Sequence, residues 1–417
     1  MIRKFTLENF RSIKDKLTID LIATAITELS SNTFSLGKEK LLKSVSLVGP
    51  NASGKSNILN GLVIMRHLII DSAKDYQSSE ALPIESFRLN IDLEDEPSFF
   101  EIELILNSKI YIYGFRADSQ KIHQEWLFQK LVTTSKLIFT RDNDSYEFGK
   151  LWEGNDSLIR FSRENALFLS VAAQWNIELA ELIIQWFMNM NTLHGLSFQN
   201  YSGVSIDLME NNETRPFVIE MMRRADFGIE DIKIKKATPV EKEFAKFLKT
   251  RFKSEYVEKV KDQKVYEVLT YHNKYNSKNE IVGTEQFKLG KEESDGTRKF
   301  FSLIGAILEA FLRGEVVVID ELDARLHPDL VKEIIALFNS SVNSQGQLIC
   351  VNFHTGIMDN ELLRRDQIYL VEKDEFGGTK VNSYSEFDVR KGQPLEKNYR
   401  DGRVGGKPMI KSFEKIF

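Results

Sequence analysis

The chain has 417 residues, enough for one large domain with a substantial insertion or for two domains. With 42% hydrophobic and 28% charged residues it has the composition of an ordinary globular protein, which excludes a disordered one. A formal net charge of −5 excludes a protein that coats nucleic acid with its whole surface, and the single cysteine excludes an internal disulfide framework or a cysteine metal cluster.

No segment approaches the roughly 18 uninterrupted apolar residues that a membrane helix needs. The longest candidate, 61–70, is broken by Arg66 and His67. Met1-Ile2-Arg3-Lys4 leads straight into strand pattern without a signal-peptide core, so the expectation is a cytoplasmic protein with no membrane partner. Residues 1–21 read as short strands around the polar turn Asn9-Phe10-Arg11-Ser12, and Val45-Ser46-Leu47-Val48 is a short strand entering a Gly-rich loop. A helix follows from 55 to about 70, with Ile58, Leu59, Leu62, Val63 and Met65 at helical spacing.

From 84 to 148 the pattern has period two. Residues 99–106 and 110–113 read as a hairpin across Asn107-Ser108, with more strands at 136–140 and 145–148, together an antiparallel β-lobe. Residues 175 to about 265 read as helical, through Leu179, Leu182, Ile183 and Phe187. Within them, 233–264 carries eleven Lys/Arg against five Asp/Glu, a solvated face or a grip on nucleic acid or an acidic partner. Strand alternation returns at 265–270, and from 296 the order helix, strand, helix, strand fits a parallel sheet with crossovers. Cys350 lies inside the apolar run 348–351 and reads as a small buried hydrophobe.

Four constellations carry chemistry. Gly49-Pro50-Asn51-Ala52-Ser53-Gly54-Lys55-Ser56 satisfies the P-loop pattern at every fixed position, between a strand and a helix as the motif requires. Its backbone N–H groups and the helix N-terminus suit phosphate oxygens, Lys55 the β- and γ-phosphates of ATP, and Ser56 a Mg²⁺ ion. Next, Glu315 and the apolar run 316–319 lead into Asp320-Glu321, which places Asp320 at the metal and Glu321 as base toward an attacking water. Glu293-Ser294-Asp295-Gly296-Thr297 precedes a helical run at 300–311, so Ser294 and Gly296 offer a hydroxyl and free N–H groups to an anion. Finally, His354 follows the strand at 347–351, where it can bond the γ-phosphate and sense its loss.

P-loop, signature, acidic strand and switch histidine stand in the order of ABC-type ATPases. The opening 5–12 and the spelling from Gly49 to Ser56 with Asn57 resemble the RecF/SMC branch. Glu293–Arg298, the run Asp320-Glu321-Leu322-Asp323-Ala324-Arg325-Leu326-His327-Pro328 and the tail around Tyr399-Arg400-Asp401-Gly402-Arg403 resemble the bacterial RloA-like family. That family is similar to the ATPase half of the OLD nucleases and to the ATPase subunits of PARIS, Septu and retron defence systems.

The resemblance implies an α/β, ABC-type P-loop ATPase head, a mixed core sheet plus antiparallel β-lobe, with a helical insertion. The halves would be 1–175 and 286–417, with the insertion or lid at 176–285. It implies Asn57 in the nucleotide site and Asp323 in the loop that crosses to a partner subunit. The partners implied are a second copy, in a homodimer or higher even-numbered homo-oligomer, and an effector nuclease or toxin encoded nearby. A separate effector is implied because the tail after His354 is too short for the OLD nuclease domain. The alternative is a DNA repair or chromosome-maintenance ATPase that binds DNA directly. The signature lacks the second glycine of the transporter pattern, and the glutamine-type loop has no clear place in the sequence.

Overall fold

The alternating N-terminal segment folds as β1 (Ile2–Glu8) and β2 (Leu17–Asp20), antiparallel across the polar turn. β3 (Thr33–Leu36) and β4 (Glu39–Leu42) form a separate ribbon. β5 (Ser44–Val48) is buried at every position, as a strand covered on both faces is. After the Gly-rich loop comes α1 (Lys55–Asp71), one residue longer than expected. Its Gly61 lies so close to β1 that a Cβ there would sit 2.5 Å from Leu7 Cδ1.

The period-two region becomes β6 (Ser98–Leu106), β7 (Lys109–Ala117), β8 (Ile122–Lys130), β9 (Ser135–Asp142) and β10 (Ser145–Phe148). Asn107 and Ser108 both take positive φ, 48° and 62°, as a two-residue hairpin loop of type I′ requires. These strands join β1 and β2 in a seven-stranded antiparallel sheet, order β10-β9-β8-β7-β6-β1-β2, which is the expected β-lobe. The sequence reading passed over β8 because a fully buried carboxylate, Glu125, interrupts its apolar alternation. Glu125 accepts hydrogen bonds from Tyr113 O–H (2.9 Å) and from the N–H groups of Phe168 (2.6 Å) and Leu169 (2.9 Å). It thereby ties α2 (Phe168–Gln174) to the lobe. α3 (Glu178–Met188) and β11 (Asn191–His194) complete this half.

The structure describes residues 1–37, 39–74, 76–197, 201–236, 266–389, 392–408 and 412–416, and this computed structural model divides into two compact units. The smaller, Leu196–Leu308, holds α4 (Ser202–Glu210), α5 (Arg215–Arg224) and the antiparallel sheet of β12 (Ile229–Lys236), β13 (Tyr266–Tyr275) and β14 (Ile281–Lys288). Its middle is therefore mixed and not wholly helical as read to 265: Ile232 and Ile234 follow strand spacing and pair with Thr270 and Val268 of β13, and the register shifts between Ile229 and Asp231. Most of the basic run, including Lys246, Lys249 and Lys253, lies outside the described residues. α6 (Asp295–Arg313) begins in this unit, at the signature.

The larger unit, Met1–Gly195 with Glu309–Phe417, is completed by β15 (Val316–Asp320), α7 (Pro328–Asn339), β16 (Gln347–Asn352), β17 (Ile368–Lys373), β18 (Thr379–Ser383) and α8 (Leu395–Arg400). Its second sheet has the order β11-β15-β16-β5-β17-β18, parallel except for β18. The loops after β5, β15 and β16 therefore leave adjacent carboxyl ends of one parallel sheet, the place where such sheets bind ligands. Among the described residues no helix is long and apolar enough to cross a membrane.

Candidate functional site

The loop from Gly49 to Ser56 is fixed by close packing against the edge of the sheet. A Cβ at Gly49 would lie 2.0 Å from the Val371 carbonyl oxygen. Gly54 has φ +103°, and a Cβ there would meet Thr379 Oγ1 at 2.0 Å and Ser12 Oγ at 2.7 Å. Both positions require glycine. Thr379 Oγ1 donates to Ser53 O (3.0 Å) and pairs with Ser12 Oγ (2.8 Å), which accepts from Asn57 Nδ2 (2.8 Å). A polar chain thus joins α1, the β1–β2 turn, β18 and the loop. Nothing in the sequence marks Thr379 or Ser12 for this role.

Lys55 is buried, and Nζ donates to Gly49 O (2.8 Å) and Pro50 O (2.7 Å). Burial pushes its pKa down to about 8, against the opposing pull of Asp320, Asp323 and Glu321. Three carboxylates therefore stand near one ammonium. The Phe353 ring lies over Nζ at 4.1 Å from its centroid, a contact the sequence reading missed.

Asp320 is the last residue of β15, and its Oδ1 is buried without a hydrogen-bond partner. His194 stands opposite it in the β11–β15 register, with Nε2 at 3.8 Å from Asp320 Oδ2. β11 is thus the strand beside the acidic one, and His194 a site residue with no sequence signal. Glu321 follows at φ +53°, a left-handed backbone that non-glycine residues rarely adopt and that clusters at functional sites. Asp323 Oδ2 accepts from the N–H groups of Phe353 (2.7 Å) and His354 (2.6 Å), while its Oδ1 is buried and unpartnered. His354 is exposed and accepts from Gly356 N–H at Nδ1 (3.1 Å), so a neutral ring carries its proton on Nε2, free to donate to a phosphate. Asn352 Oδ1 and Ser53 Oγ are further buried atoms without partners. Cys350, at the core of β16, has its thiol pushed up to about 11 by burial, which makes it inert.

Of the four buried polar atoms without a partner, the Ser53 hydroxyl can donate to a phosphate oxygen, while the oxygens of Asp320, Asp323 and Asn352 accept and so suit a cation with its bound waters. One carboxylate, Asp320, and one hydroxyl, Ser56, suit Mg²⁺, which keeps several waters and takes phosphate oxygens. In the smaller unit, Ser294 Oγ accepts from Thr297 N–H (3.1 Å) and so caps α6, with Gly296 in the first turn. Glu293 is held by His272 Nε2 (2.7 Å) and Thr270 Oγ1 (2.5 Å) of β13.

The profile of the family described as "AAA domain, putative AbiEii toxin, Type IV TA system" matches residues 44–351, well over half of the chain. The chain belongs to this family. The match opens on β5 and closes in β16, so it brackets the P-loop and the acidic strand of this AAA-domain protein. Its fold is the expected α/β one, a core sheet carrying the P-loop together with an antiparallel β-lobe. No curated protein sequence matches it. Among solved structures, the SMC head domain from Thermotoga maritima is similar over 92% of this chain and 98% of its own, at 11% identity and a TM-score of 0.42. The SMC head bound to the C-terminal winged-helix domain of ScpA is similar over 91% and 97%, at 12% identity and 0.46.

Proposed function

We propose that this AAA-domain protein binds and hydrolyses ATP with Mg²⁺ at the P-loop, and that ATP closes a head-to-tail dimer of two chains. The observation that carries this reading is the gathering of Asp320, Asp323 and Glu321 at the P-loop Lys55, with unpartnered buried oxygens on Ser53, Asp320, Asp323 and Asn352. Bound Mg²⁺ would neutralise developing charge on the phosphates. The N–H groups from Gly49 to Asn57 cradle the phosphates, Lys55 pairs with them, and Ser56 and Asp320 hold the metal. Glu321 takes a proton from the attacking water, and His354 donates Nε2–H to the γ-phosphate. Ser294 and Gly296 of one chain cap the nucleotide on Lys55 of the other, which completes a site that each chain holds only in halves.

Within that reading the chain is the sensor or regulatory subunit of an antiphage defence system, and its effector nuclease or toxin is a separate polypeptide. The family's description names an AbiEii toxin and a Type IV TA system, which supports a place in a toxin system of more than one polypeptide. A chain that clamps DNA directly is the second reading, favoured by the excess of Lys/Arg over 233–264. ATP-dependent, salt-sensitive DNA binding by the isolated chain decides for it.

The dimer is tested by sizing Glu321→Gln with ATP and Mg²⁺ at micromolar concentration. The expected result is a shift to twice the monomer mass. A protein that binds ATP and stays monomeric refutes the composite site.

A further inference from the structure

The Lys55 ammonium has three N–H donors. Two are used on Gly49 O and Pro50 O, and Nζ also lies over the Phe353 ring, 4.1 Å from its centroid. The residue that should meet a phosphate is thus satisfied by the protein itself. Phe353 is 38% exposed, so its ring has room to leave, but its backbone is held firmly: its N–H and that of His354 share Asp323 Oδ2. Behind it, Asn352 is fixed in the sheet by its register with Val48 of β5. A pinned backbone with a ring resting on a cation can open by side-chain rotation alone.

We propose that Phe353 is a latch on the P-loop lysine: its ring holds Lys55 folded back, and an arriving nucleotide triphosphate must displace it. The inference rests on the reading of the P-loop as an ATP site. The latch lowers the apparent affinity by the fraction of molecules in which it is open. Because it is a cation–π contact, its strength follows the ring, greatest for Trp and absent for Leu. Phe353 and His354 share one carboxylate, so release of Lys55 and positioning of the γ-phosphate donor involve the same short segment.

The test is stopped-flow binding of a fluorescent N-methylanthraniloyl ATP with Mg²⁺ to the full chain and to Phe353→Leu, Phe353→Ala, Phe353→Trp and Lys55→Ala. Leu and Ala should bind ~2- to 30-fold tighter, mostly through faster association, as the loss of one cation–π contact predicts. Trp should bind more weakly than the parent, and its own fluorescence should change as the ring leaves Lys55. Thermal denaturation checks that each variant is folded, and the Leu and Trp variants carry the test if Ala does not fold. Leu and Ala variants that bind no tighter and no faster, while Lys55→Ala still loses affinity, overturn the latch and leave the ATP reading standing. Weaker binding by Leu and Ala makes Phe353 a nucleotide contact, which also overturns it. Failure of both the parent and Lys55→Ala to bind overturns the ATP reading itself, and the latch with it.

Discussion

Thr379→Val removes one hydroxyl and keeps the side-chain shape. In the parent, Thr379 Oγ1 donates to Ser53 O and pairs with Ser12 Oγ, which in turn takes the Asn57 amide. The variant leaves the buried carbonyl of Ser53 without that donor and cuts the Ser12–Asn57 pair off from β18 and the loop. Losing one such bond and stranding its partner costs about 1–2 kcal/mol. If the lost order falls on the loop that cradles phosphate, ATP affinity falls ~5- to 30-fold, since each 1.36 kcal/mol is a factor of ten. The assay is equilibrium titration with fluorescent ATP, alongside thermal unfolding. Thr379→Ser, which keeps the hydroxyl, should restore binding to within about threefold, the cost of less than one such bond. An unchanged affinity in Thr379→Val, with Thr379→Ser no different from it, refutes the claim that β18 holds the P-loop in its binding shape.

The remaining predictions concern stability. Glu125→Ala should destabilise by ~3–6 kcal/mol in chemical denaturation, because it leaves the buried donors of Tyr113, Phe168 and Leu169 unpaired at roughly 1–2 kcal/mol each; a loss under about 1 kcal/mol would show that water takes its place as acceptor. Burial, with Glu309 nearby, pushes the Glu315 carboxyl up to about 7 from its ordinary 4.5. Its contribution is therefore complete below 4.5 and is lost as pH rises through about 7, so Glu315→Gln should flatten the fall in melting temperature across that window. Parallel pH profiles of the two proteins would contradict it.

What the sequence disclosed was local. The P-loop spelling fixes its own backbone through Gly49 and Gly54, α1 shows its buried stripe within a few turns, and β15 reads as a run of four apolar residues ending in Asp320. The hairpin at Asn107-Ser108 is legible because its turn chemistry and flanking alternation agree. What stayed hidden depends on distant pairing. Thr379 reaches Ser53 from the far end of the chain, and His194 meets Asp320 only through strand register. β8 was hidden by a buried Glu125 whose partners lie on β7 and α2, and β12 by a lysine-rich spelling that also suits a helix. Phe353 carries no mark in the sequence, and only the folded loop sets its ring on Lys55.

The central claim is that Glu321 drives ATP hydrolysis at a site built around Lys55. The direct measurement is phosphate release from ATP and Mg²⁺ by Glu321→Gln and by the parent chain, at nucleotide concentrations that saturate both. The account predicts turnover by the parent and a loss of about 10²–10⁴-fold in Glu321→Gln with binding preserved, the range for removing a catalytic base. Hydrolysis by Glu321→Gln at the parent's rate would contradict it.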